Sequence, residues 1–459
     1  MTHGFATESE RDTKPVPLVP LTADGLAAWR EQASPRDRRW QESAGFAAKA
    51  GEVLVLPGED GGLERCLFGM QPEGCLYQLA SVQDRLPPVT YVLECDWSEE
   101  QQAQACLGWG LGAYRYERYR RDESPRPNLY LDPSLRERVT RLCAAQSLVR
   151  DLVNTPTEHL GPEQLADAAV SEADRFDAHS RVIVGDELLS EDFPAVHAVG
   201  RAASRAPRLI ELDWGDEDAP LLALVGKGVC FDTGGLDLKN ASGMALMKKD
   251  MGGAAHALAL AQLVMAHALP VRLKLLIPAV ENSVSGNAYR PGDVIATRKG
   301  LSVEIGNTDA EGRVVLSDAL ALACESRPDL VIDFATLTGA ARVALGTDLP
   351  ALFSNRDEVS SGIQQAGTDC EDPLWTLPLY APYNELIKSP IADITNNAKT
   401  GFGGAITAAL FLQRFVEPGI PWVHIDTYAW NSGNRAGRPE GGEALGLRAV
   451  FHYLRQRYS

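Results

Sequence analysis

The sequence predicts an α/β protein with two domains, a smaller N-terminal α/β domain and a larger C-terminal domain with a mostly parallel central sheet flanked by helices. The chain has 459 residues, which is more than one core of ordinary size supports. From about residue 154 onward, short apolar runs alternate with longer helical runs. The short runs are apolar at nearly every position, which is typical of parallel strands covered by helices on both faces.

The N-terminal region is expected to contain a disordered segment, one domain and a connecting helix. Residues 1–15 are polar and are predicted to be disordered. Residues 16–132 form the predicted N-terminal domain, in which we find no catalytic constellation. Its clearest elements are strands at 53–56 and 91–94 and a helix over 99–120. Residues 133–153 have the pattern of a helix that connects the two domains.

Residues 154–459 form the predicted C-terminal domain. Pro162 is expected to start a helix, because proline favours the first helical turn. Strands are predicted at 182–184, 195–199, 209–212, 221–225, 272–277, 330–334 and 422–425. Ligands of such sheets bind beyond the carboxyl ends of the strands. This rule selects the loops after Val225, before Asp309 and after Phe334.

Composition narrows the classes of function. The formal net charge is −18, which disfavours nucleic-acid binding because phosphate contacts need a basic surface. The N-terminus lacks the apolar run of a secretory signal, so a cytoplasmic protein is expected. Eight cysteines without a CxxC pair predict reduced thiols. The most apolar helical run, 254–269, contains two histidines and a glutamine, which predicts a buried helix rather than a membrane span.

Five ionisable residues in glycine-rich, turn-prone segments are the strongest candidates for a functional site. They are Lys227, Asp232, Asp250, Asp309 and Glu311. Asp250 precedes a run of small residues, where an aspartate often caps a helix. Asp309 and Glu311 are two positions apart, so an extended backbone would direct both carboxylates to one side. The two acids could equally lie at the start of a helix, where their negative charge interacts favourably with the helix dipole.

Taken together, the five residues favour a site for divalent cations. Several carboxylates and one amine, without histidine or cysteine, suit Mn²⁺, Mg²⁺ or Zn²⁺. Bridging carboxylates allow two ions to lie ~3.5–4 Å apart, as in many hydrolases. A lysine can ligate only as a neutral amine, so burial and the metal would have to hold Lys227 deprotonated. A phosphate-binding loop is not indicated, because the lysine of Gly226-Lys-Gly228 is not followed by serine or threonine.

Four short motifs stand out. They are Asn-Thr-Asp-Ala-Glu-Gly-Arg at 307–313, Val-Glu-Asn at 280–282, Tyr-Arg-Pro-Gly-Asp at 289–293 and Thr-Leu-Thr-Gly-Ala at 336–340. Through these motifs the region from Leu222 to Thr338 resembles the catalytic core of the leucyl (cytosol) aminopeptidase family. The resemblance covers about residues 150–459, whereas the N-terminal domain resembles the family only in position and size. It implies a cytoplasmic, homohexameric, metal-dependent aminopeptidase that releases N-terminal residues from peptides.

The resemblance also implies how the five residues would share two metal ions. Asp232 and Glu311 would bridge the ions. Lys227 and Asp250 would complete the tighter site, and Asp309 would complete the more exchangeable one with its own backbone carbonyl. A water between the ions would be the nucleophile, and the free α-amine of the peptide would bind one ion.

Two basic residues would assist the reaction if the resemblance holds. Lys239 would stay protonated and stabilise the carbonyl oxygen as negative charge develops. Arg313 would hold a bicarbonate-like anion that shuttles the proton, since a guanidinium fits a planar anion through two hydrogen bonds. For both residues, a solvated surface charge is the alternative interpretation.

The substrate side-chain pocket of the family corresponds to positions spread over three segments. They are Met247, Thr336, Gly339, Tyr428 and Asn431. In the best-known members, the position of Tyr428 is alanine and that of Asn431 is apolar. The tyrosine therefore predicts a smaller or reshaped pocket, and the asparagine predicts a more polar one. Tyr428 and Trp430 could instead pack in the core, as buried aromatics usually do, and both interpretations stay open.

Four other residues and two other functions complete the sequence-based expectations. Asp393 and Asn396 lie in a family-like region, where Asp393 could orient a loop near the site or serve in a plain turn. His256 and His267 are expected to be core or surface histidines and are not assigned to the metal. A DNA-binding or regulatory role is one alternative function, and a catalytically inactive relative is the other. The net charge weighs against the former, and the seven intact site residues weigh against the latter.

Overall fold

A computed structural model describes residues 3–6 and 14–459 and divides the chain into two compact units. The first combines the residues up to Ser147 with Ser432–Glu440, and the second combines Leu148–Asn431 with Gly441–Ser459. Each unit contains both helices and sheets, which confirms the predicted α/β class.

The first unit contains a mixed sheet. Its elements are β1 (Val16–Leu21), α1 (Gly25–Gln32), α2 (Pro35–Ser43), β2 (Val53–Pro57), β3 (Leu63–Gly69), β4 (Thr90–Leu93), α3 (Glu99–Ala113) and β5 (Asn128–Tyr130). The strand order is β2-β3-β1-β4-β5. The β2–β3 pair is antiparallel, and the other pairs are parallel.

Helix α3 is shorter than the sequence predicted. It begins after a capping box formed by Ser98 and Gln101 and ends at Ala113 instead of Arg120. The next residue, Tyr114, has an extended backbone, and the Arg115 guanidinium donates to the Gly112 carbonyl at 2.6 Å. The orphan carbonyls of a helix end need such partners, and this side chain supplies one.

Two segments, one at the N-terminus and one at residues 432–440, differ from their predicted placement. Phe5 and Ala6 are buried, and Phe5 forms a parallel bridge with Leu129, so predicted disorder does not describe residues 3–6. Residues 1, 2 and 7–13 of that prediction lie outside the described residues. Ser432–Glu440 belongs to the first unit rather than to the C-terminal domain, with Gly437 tightly packed against Tyr77.

Helix α4 (Pro133–Asn154) matches the helix predicted over 133–153, and the division between the two units falls within it.

The strands that follow are β6 (His179–Val184), β7 (Arg208–Trp214), β8 (Leu221–Gly226), β9 (Gly228–Asp232), β10 (Arg272–Asn282), β11 (Val294–Ala296), β12 (Ser302–Glu304), β13 (Leu330–Ala335), β14 (Ala351–Ser354), β15 (Trp375–Thr376), β16 (Ile394–Thr395), β17 (Trp422–Asp426), β18 (Trp430–Asn431) and β19 (Gly441–Gly442). The helices are α5 (Pro162–Arg175), α6 (Glu187–Ser190), α7 (Pro194–Gly200), α8 (Ala241–Met244), α9 (Gly252–Ala266), α10 (Glu311–Glu325), α11 (Gly339–Leu345), α12 (Asp357–Asp369), α13 (Gly404–Gln413) and α14 (Leu447–Arg457).

The main sheet of the second unit has the order β15-β14-β17-β13-β8-β10-β7-β6. Its centre, β17-β13-β8-β10, is parallel, and antiparallel pairs flank this centre on both sides. Strand registers pair Phe334 with Gly226 and Ala335 with Asp426. The carboxyl ends of β8, β13 and β17 therefore meet at one edge of the sheet, where a ligand site is expected.

The strand predicted at 195–199 is wrong, because these residues form helix α7. Pro194 occupies the first turn of this helix, a position that proline favours. The buried carboxylate of Asp318 accepts hydrogen bonds from the backbone amides of Ala195 and Val196, at 2.8 and 3.2 Å. An apolar run of this length fits either element, and here the proline and the distant carboxylate select the helix.

Helix α9 is a core helix, as the sequence predicted. Each residue from Gly252 to Met265 is buried, and the helix packs against β8 and β13. Within the described part of the chain, no helix combines the length and the apolar character that crossing a membrane requires.

Candidate metal centre

Lys227 lies at the centre of a buried group of acids. It follows β8, and 2% of its surface is exposed. Its Nζ lies 2.7 Å from Asp250 Oδ2 and 3.0 Å from Glu311 Oε1, and it donates to the Thr336 carbonyl at 2.9 Å. Helix α10 approaches this lysine closely, since a Cβ at Gly312 would lie 2.5 Å from Lys227 Cε. Glycine at 312 thus allows the lysine and Glu311 to meet.

Lys239 joins the other two candidate acids. Its Nζ lies 2.7 Å from Asp232 Oδ2 and contacts Asp309 Oδ1. The second oxygen of Asp232 accepts from the Gly234 amide and from Asn282 Nδ2, both at 2.8 Å. Asp232 therefore has one oxygen fixed by hydrogen bonds while the other faces the charged cluster.

A turn, and not the extended backbone that the sequence suggested, brings Asp309 and Glu311 to the same site. The Asp309 amide donates to Asn307 Oδ1 at 2.8 Å, which is a short Asx turn. Glu311 is the first residue of α10. Asp309 therefore reaches the site from the turn before Ala310, and Glu311 reaches it from the first position of the helix after Ala310.

The capping interpretation of Asp250 is not observed. The residue before α9 is Met251, without a side-chain cap. Asp250 instead ends a 3₁₀ turn over Met247–Lys249, and its Oδ1 accepts from Thr336 Oγ1 at 2.9 Å. The first residue after β13 thus orients this carboxylate.

The residues present fit divalent cations. Asp232, Asp309 and Glu311 each place one oxygen within 4.8 Å of the others. Among the described residues, Glu311 Oε2 is buried without a hydrogen-bond partner, and Glu311 Oε1 and Asp250 Oδ2 both contact Lys227 Nζ at ion-pair distance. Buried carboxylates without donors are costly unless a cation balances them. An oxygen-rich set with one amine is the donor chemistry of Mn²⁺, Mg²⁺ or Zn²⁺.

The ionisation of the cluster reflects this excess of acid. Burial and the charge of Asp232 raise the pKa of Glu311 well above its usual range and that of Asp309 to about 6. Burial lowers the pKa of Lys227, but the carboxylates of Asp250, Glu311 and Asp232 outweigh burial and raise it. Lys227 is thus an ammonium ion when acids alone surround it. To ligate a metal ion it would have to lose this proton.

Lys239 and Arg313 are not solvated surface charges. The Lys239 side chain is 16% exposed, and Arg313 is 8% exposed. Arg313 Nη1 donates to the Asn396 carbonyl at 2.9 Å, whereas its buried Nε has no hydrogen-bond partner. Burial lowers the pKa of Arg313 to about 10, so the residue remains cationic at neutral pH.

Asn396 holds the loop that carries Asp309. Its Oδ1 accepts from the amides of Gly306 and Asn307, at 2.8 and 3.2 Å, and its Nδ2 donates to the Asn307 carbonyl at 2.7 Å. Asp393 lies in the same segment, where its Oδ2 accepts from the Ser302 amide and hydroxyl. Asn396 therefore orients the site directly, while Asp393 ties the segment to β12.

The predicted pocket residues are partly brought together. A cavity of about 750 Å³ is lined by the four candidate acids, which we call the acidic cluster (Asp232, Asp250, Asp309 and Glu311), and by Lys227, Lys239 and Arg313. Met247, Thr336, Gly339 and Tyr428 line it as well. Asn431 does not line this cavity, because it lies buried in β18, paired with β19. Tyr428 thus borders the cavity, while Trp430 of β18 lies outside it, near Lys248.

Sequence reasoning missed two basic residues in the cavity, Lys249 and Arg342. Lys249 Nζ lies 4.5 Å from the centroid of the Tyr428 ring, and the Arg342 guanidinium carbon lies 5.1 Å from it. Burial lowers the pKa of Lys249 to about 8. The Lys-Lys-Asp order at 248–250 is the one local signal that could have drawn attention to Lys249.

The two histidines on and after α9 have structural roles, as expected. His256 is buried, with Nδ1 2.6 Å from the Gly252 carbonyl and Nε2 accepting from the Leu445 amide. His267 packs against the Phe451 ring. Both are thus accounted for without a metal.

Comparisons with known proteins identify the family of the chain. The family model for the catalytic domain of the cytosol aminopeptidase family matches residues 147–451, and the model for the M17 aminopeptidase N-terminal domain matches residues 16–132. A probable cytosol aminopeptidase of Syntrophotalea carbinolica is 45% identical over 70% of this chain and 65% of its own length. Another, of Roseiflexus castenholzii, is 39% identical over 81% of this chain and 80% of its own length.

Two solved structures are similar over nearly the whole chain. The cytosol aminopeptidase of Coxiella burnetii has a TM-score of 0.95 and 49% identity, covering 97% of this chain and 98% of that structure. The bottromycin maturation enzyme BotP in complex with Mn has a TM-score of 0.87 and 34% identity, covering 97% of this chain and all of that one.

Proposed function

The chain belongs to the cytosol aminopeptidase family and is an aminopeptidase, and we propose that it holds two divalent metal ions through Lys227, Asp232, Asp250, Asp309 and Glu311. The observation that carries the proposal is the buried carboxylate of Glu311, of which Oε2 has no hydrogen-bond partner among the described residues and Oε1 contacts Lys227 at ion-pair distance. Glu311 contacts Lys227, Asp232 contacts Lys239, and one carboxylate oxygen of each acid lies within 4.8 Å of one of the other, which supports a bridging role for both. The Mn complex of BotP favours manganese, and zinc or magnesium would use the same donors.

When bound, two such ions would supply Lewis-acid activation of a water nucleophile and of the scissile carbonyl. Lys239 would serve the carbonyl oxygen. Burial lowers the pKa of this amine, but Asp232 and Asp309 outweigh burial and raise it. Lys239 therefore stays protonated and can donate to the oxygen as its negative charge develops.

Arg313, two residues after Glu311 in the sequence, would bind a planar anion such as bicarbonate. Its guanidinium is buried, keeps one unpartnered N–H at Nε, and is held through Nη1 by the Asn396 carbonyl. A planar anion accepts from a guanidinium through two parallel hydrogen bonds. An anion in this place could take the proton of the attacking water and pass it to the leaving amine.

The proposed metal ions support release of N-terminal residues. A free α-amine has a pKa of about 8, so its neutral form is available near neutral pH and can ligate a metal ion. The nitrogen of an internal peptide bond has no basic lone pair of this kind. The metal ions would thus distinguish a peptide terminus from a peptide interior.

We propose the domains 16–132 and 154–459, joined by the helix over 133–153, with residues 432–440 as a part of the first compact unit. We also propose that the protein is a cytoplasmic homohexamer. Light scattering coupled to size-exclusion chromatography would test the hexamer against a monomer of 49.6 kDa. A single species at monomer mass across micromolar concentrations would contradict it.

The test of the activity is a panel of aminoacyl p-nitroanilides with protein loaded with Mn²⁺ or Zn²⁺. We expect chromophore release from at least one substrate and two ions per chain by inductively coupled plasma mass spectrometry. Bound metal without release from any substrate would contradict the activity and favour an inactive relative. The DNA-binding alternative has no specific observation in its favour.

A further inference from the structure

Two cations share one aromatic ring in the cavity, and neither belongs to the proposed metal chemistry. Lys249 Nζ and the Arg342 guanidinium carbon lie 4.5 and 5.1 Å from the centroid of the Tyr428 ring. All three residues line the cavity that contains the acidic cluster. We call Lys249, Arg342 and Tyr428 the cationic wall. Cation–π contacts stabilise each charge modestly, but they do not neutralise it.

The cationic wall lacks acids of its own. Among the described residues, neither Lys249 nor Arg342 forms a salt bridge. The nearby acids serve other groups, because Asp250 contacts Lys227 and Thr336. Asp426 accepts from the Leu337 amide and from the amide and hydroxyl of Thr338. Both cations therefore lack a salt-bridge partner in the described part of the chain, and an anionic ligand would supply one, with most effect at Lys249 because that residue is buried.

The position of the wall indicates which part of a peptide it would meet. Tyr428, together with Met247 and Gly339, occupies the positions that correspond to the substrate side-chain pocket. Met247 belongs to the same 3₁₀ turn as Lys249, and Gly339 begins the helix that carries Arg342. A substrate whose α-amine faces the acidic cluster would therefore turn its first side chain toward two cations.

We propose that the protein preferentially releases N-terminal residues whose side chains carry a carboxylate, glutamate and aspartate, with Lys249 and Arg342 as the specificity-determining residues. This inference rests on the proposed aminopeptidase function and deepens it. The cavity would then bind such a residue at both ends, the neutral α-amine at a metal ion and the side-chain carboxylate at the cationic wall. The ring of Tyr428 lies beside both cations and offers an apolar surface to the methylene groups.

The first test compares the p-nitroanilides of glutamate, glutamine and leucine with Mn²⁺-loaded protein. Glutamine matches glutamate in shape and lacks the charge, and the arylamide removes any free C-terminal carboxylate. We expect kcat/KM for glutamate to exceed that for glutamine about 10- to 100-fold, the range of one or two charge-assisted hydrogen bonds. Equal or lower kcat/KM for glutamate, with leucine turned over, would overturn this inference and leave the aminopeptidase function intact. Turnover of no substrate would overturn both.

The second test assigns the preference to the cationic wall. Lys249→Met and Arg342→Gln should each lower the glutamate-to-glutamine ratio of kcat/KM about tenfold, and Arg342→Lys should retain most of it. Lys388→Met is the matched control, since Lys388 is 63% exposed and pairs with Glu385 outside the cavity. If Lys249→Met does not fold, Arg342→Gln still decides, because Arg342 lies on the exposed face of α11. A wild-type ratio in Arg342→Gln and in folded Lys249→Met would overturn the assignment.

Discussion

The acidic cluster and the cationic wall line the same cavity but are built in different ways. In the acidic cluster, Asp232 accepts a hydrogen bond from Asn282 and Asp250 accepts one from Thr336. The loop before Glu311 donates one to Asn396. In the cationic wall, Lys249 and Arg342 are positioned by one ring, and Arg342 is exposed. The cluster is thus held from several directions, whereas the wall has few constraints.

The difference separates chemistry from selectivity. Metal-dependent hydrolysis requires ligands in fixed geometry, which outer hydrogen bonds supply. Selection of a side chain requires complementary charge and shape, which a few substitutions can change without disturbing the ligands. Changes in the acidic cluster should therefore abolish turnover, while changes in the cationic wall should redirect it.

Replacing one proposed bridging ligand should give the largest effect. Glu311→Gln keeps the size of the side chain and removes its charge, so we expect kcat on the best substrate to fall on the order of a thousandfold or more, since a metal-stabilised transition state is worth several kcal/mol. Mass spectrometry should also find fewer than two ions per chain. Glu385→Gln, on the exposed partner of Lys388, is the control. Normal activity with two ions bound in Glu311→Gln would place the centre elsewhere.

Loss of an outer residue should have a smaller effect. Asn396→Ala removes the hydrogen bonds that hold Gly306 and Asn307, so we expect kcat or metal affinity to fall about 10- to 100-fold. The control is Asp393→Ala, which lies in the same segment but contacts Ser302, and it should change either quantity less than about threefold. Equal losses in the two variants would mean that Asn396 acts only through the stability of the segment.

Metal binding to the acidic cluster should depend on pH. Ligands must lose their protons to bind, and the pKa of Asp309 is raised to about 6 with that of Glu311 raised further. The pKa of Lys227 is raised as well, so apparent Mn²⁺ affinity should fall across the whole range from pH 8 to pH 5, by up to about tenfold per pH unit for each proton displaced. Calorimetric titrations from pH 5 to pH 8, in buffers of different ionisation enthalpy, would measure the affinity and the proton release. An affinity independent of pH would contradict the proposed ligands.

Asn431 should give the smallest effect on selectivity. The residue lies three positions after Tyr428 in the sequence, but it is buried and does not line the cavity. Asn431→Leu should change the glutamate-to-glutamine ratio less than about twofold, while the loss of a buried polar group costs about 1–3 kcal/mol of stability. Urea unfolding and the ratio of kcat/KM would measure the two quantities on one preparation. A large change in the ratio would return Asn431 to the pocket.

The sequence predicted the metal centre more completely than the pocket. Lys227, Asp232, Asp250, Asp309 and Glu311 fall within motifs whose residue types and spacing restrict the chemistry, and the structure brings all five together. The same reasoning supplied the wrong geometry for Asp309 and Glu311, which converge through an Asx turn and a helix start. It also predicted a strand at 195–199, because local apolar pattern does not reveal that Asp318, more than a hundred residues later, accepts from the start of that helix.

The sequence by itself determined the α/β class, the identity of the acids and the presence of one lysine among them, because these follow from periodicity and from short motifs. Only the tertiary structure decided that Lys249, Arg342 and Tyr428 form one wall and that Asn431 lies outside the cavity. The three wall residues come from a 3₁₀ turn, a helix and a loop far apart in the chain. Their proximity depends on the parallel order of β8, β13 and β17, which sets the loops at their carboxyl ends side by side.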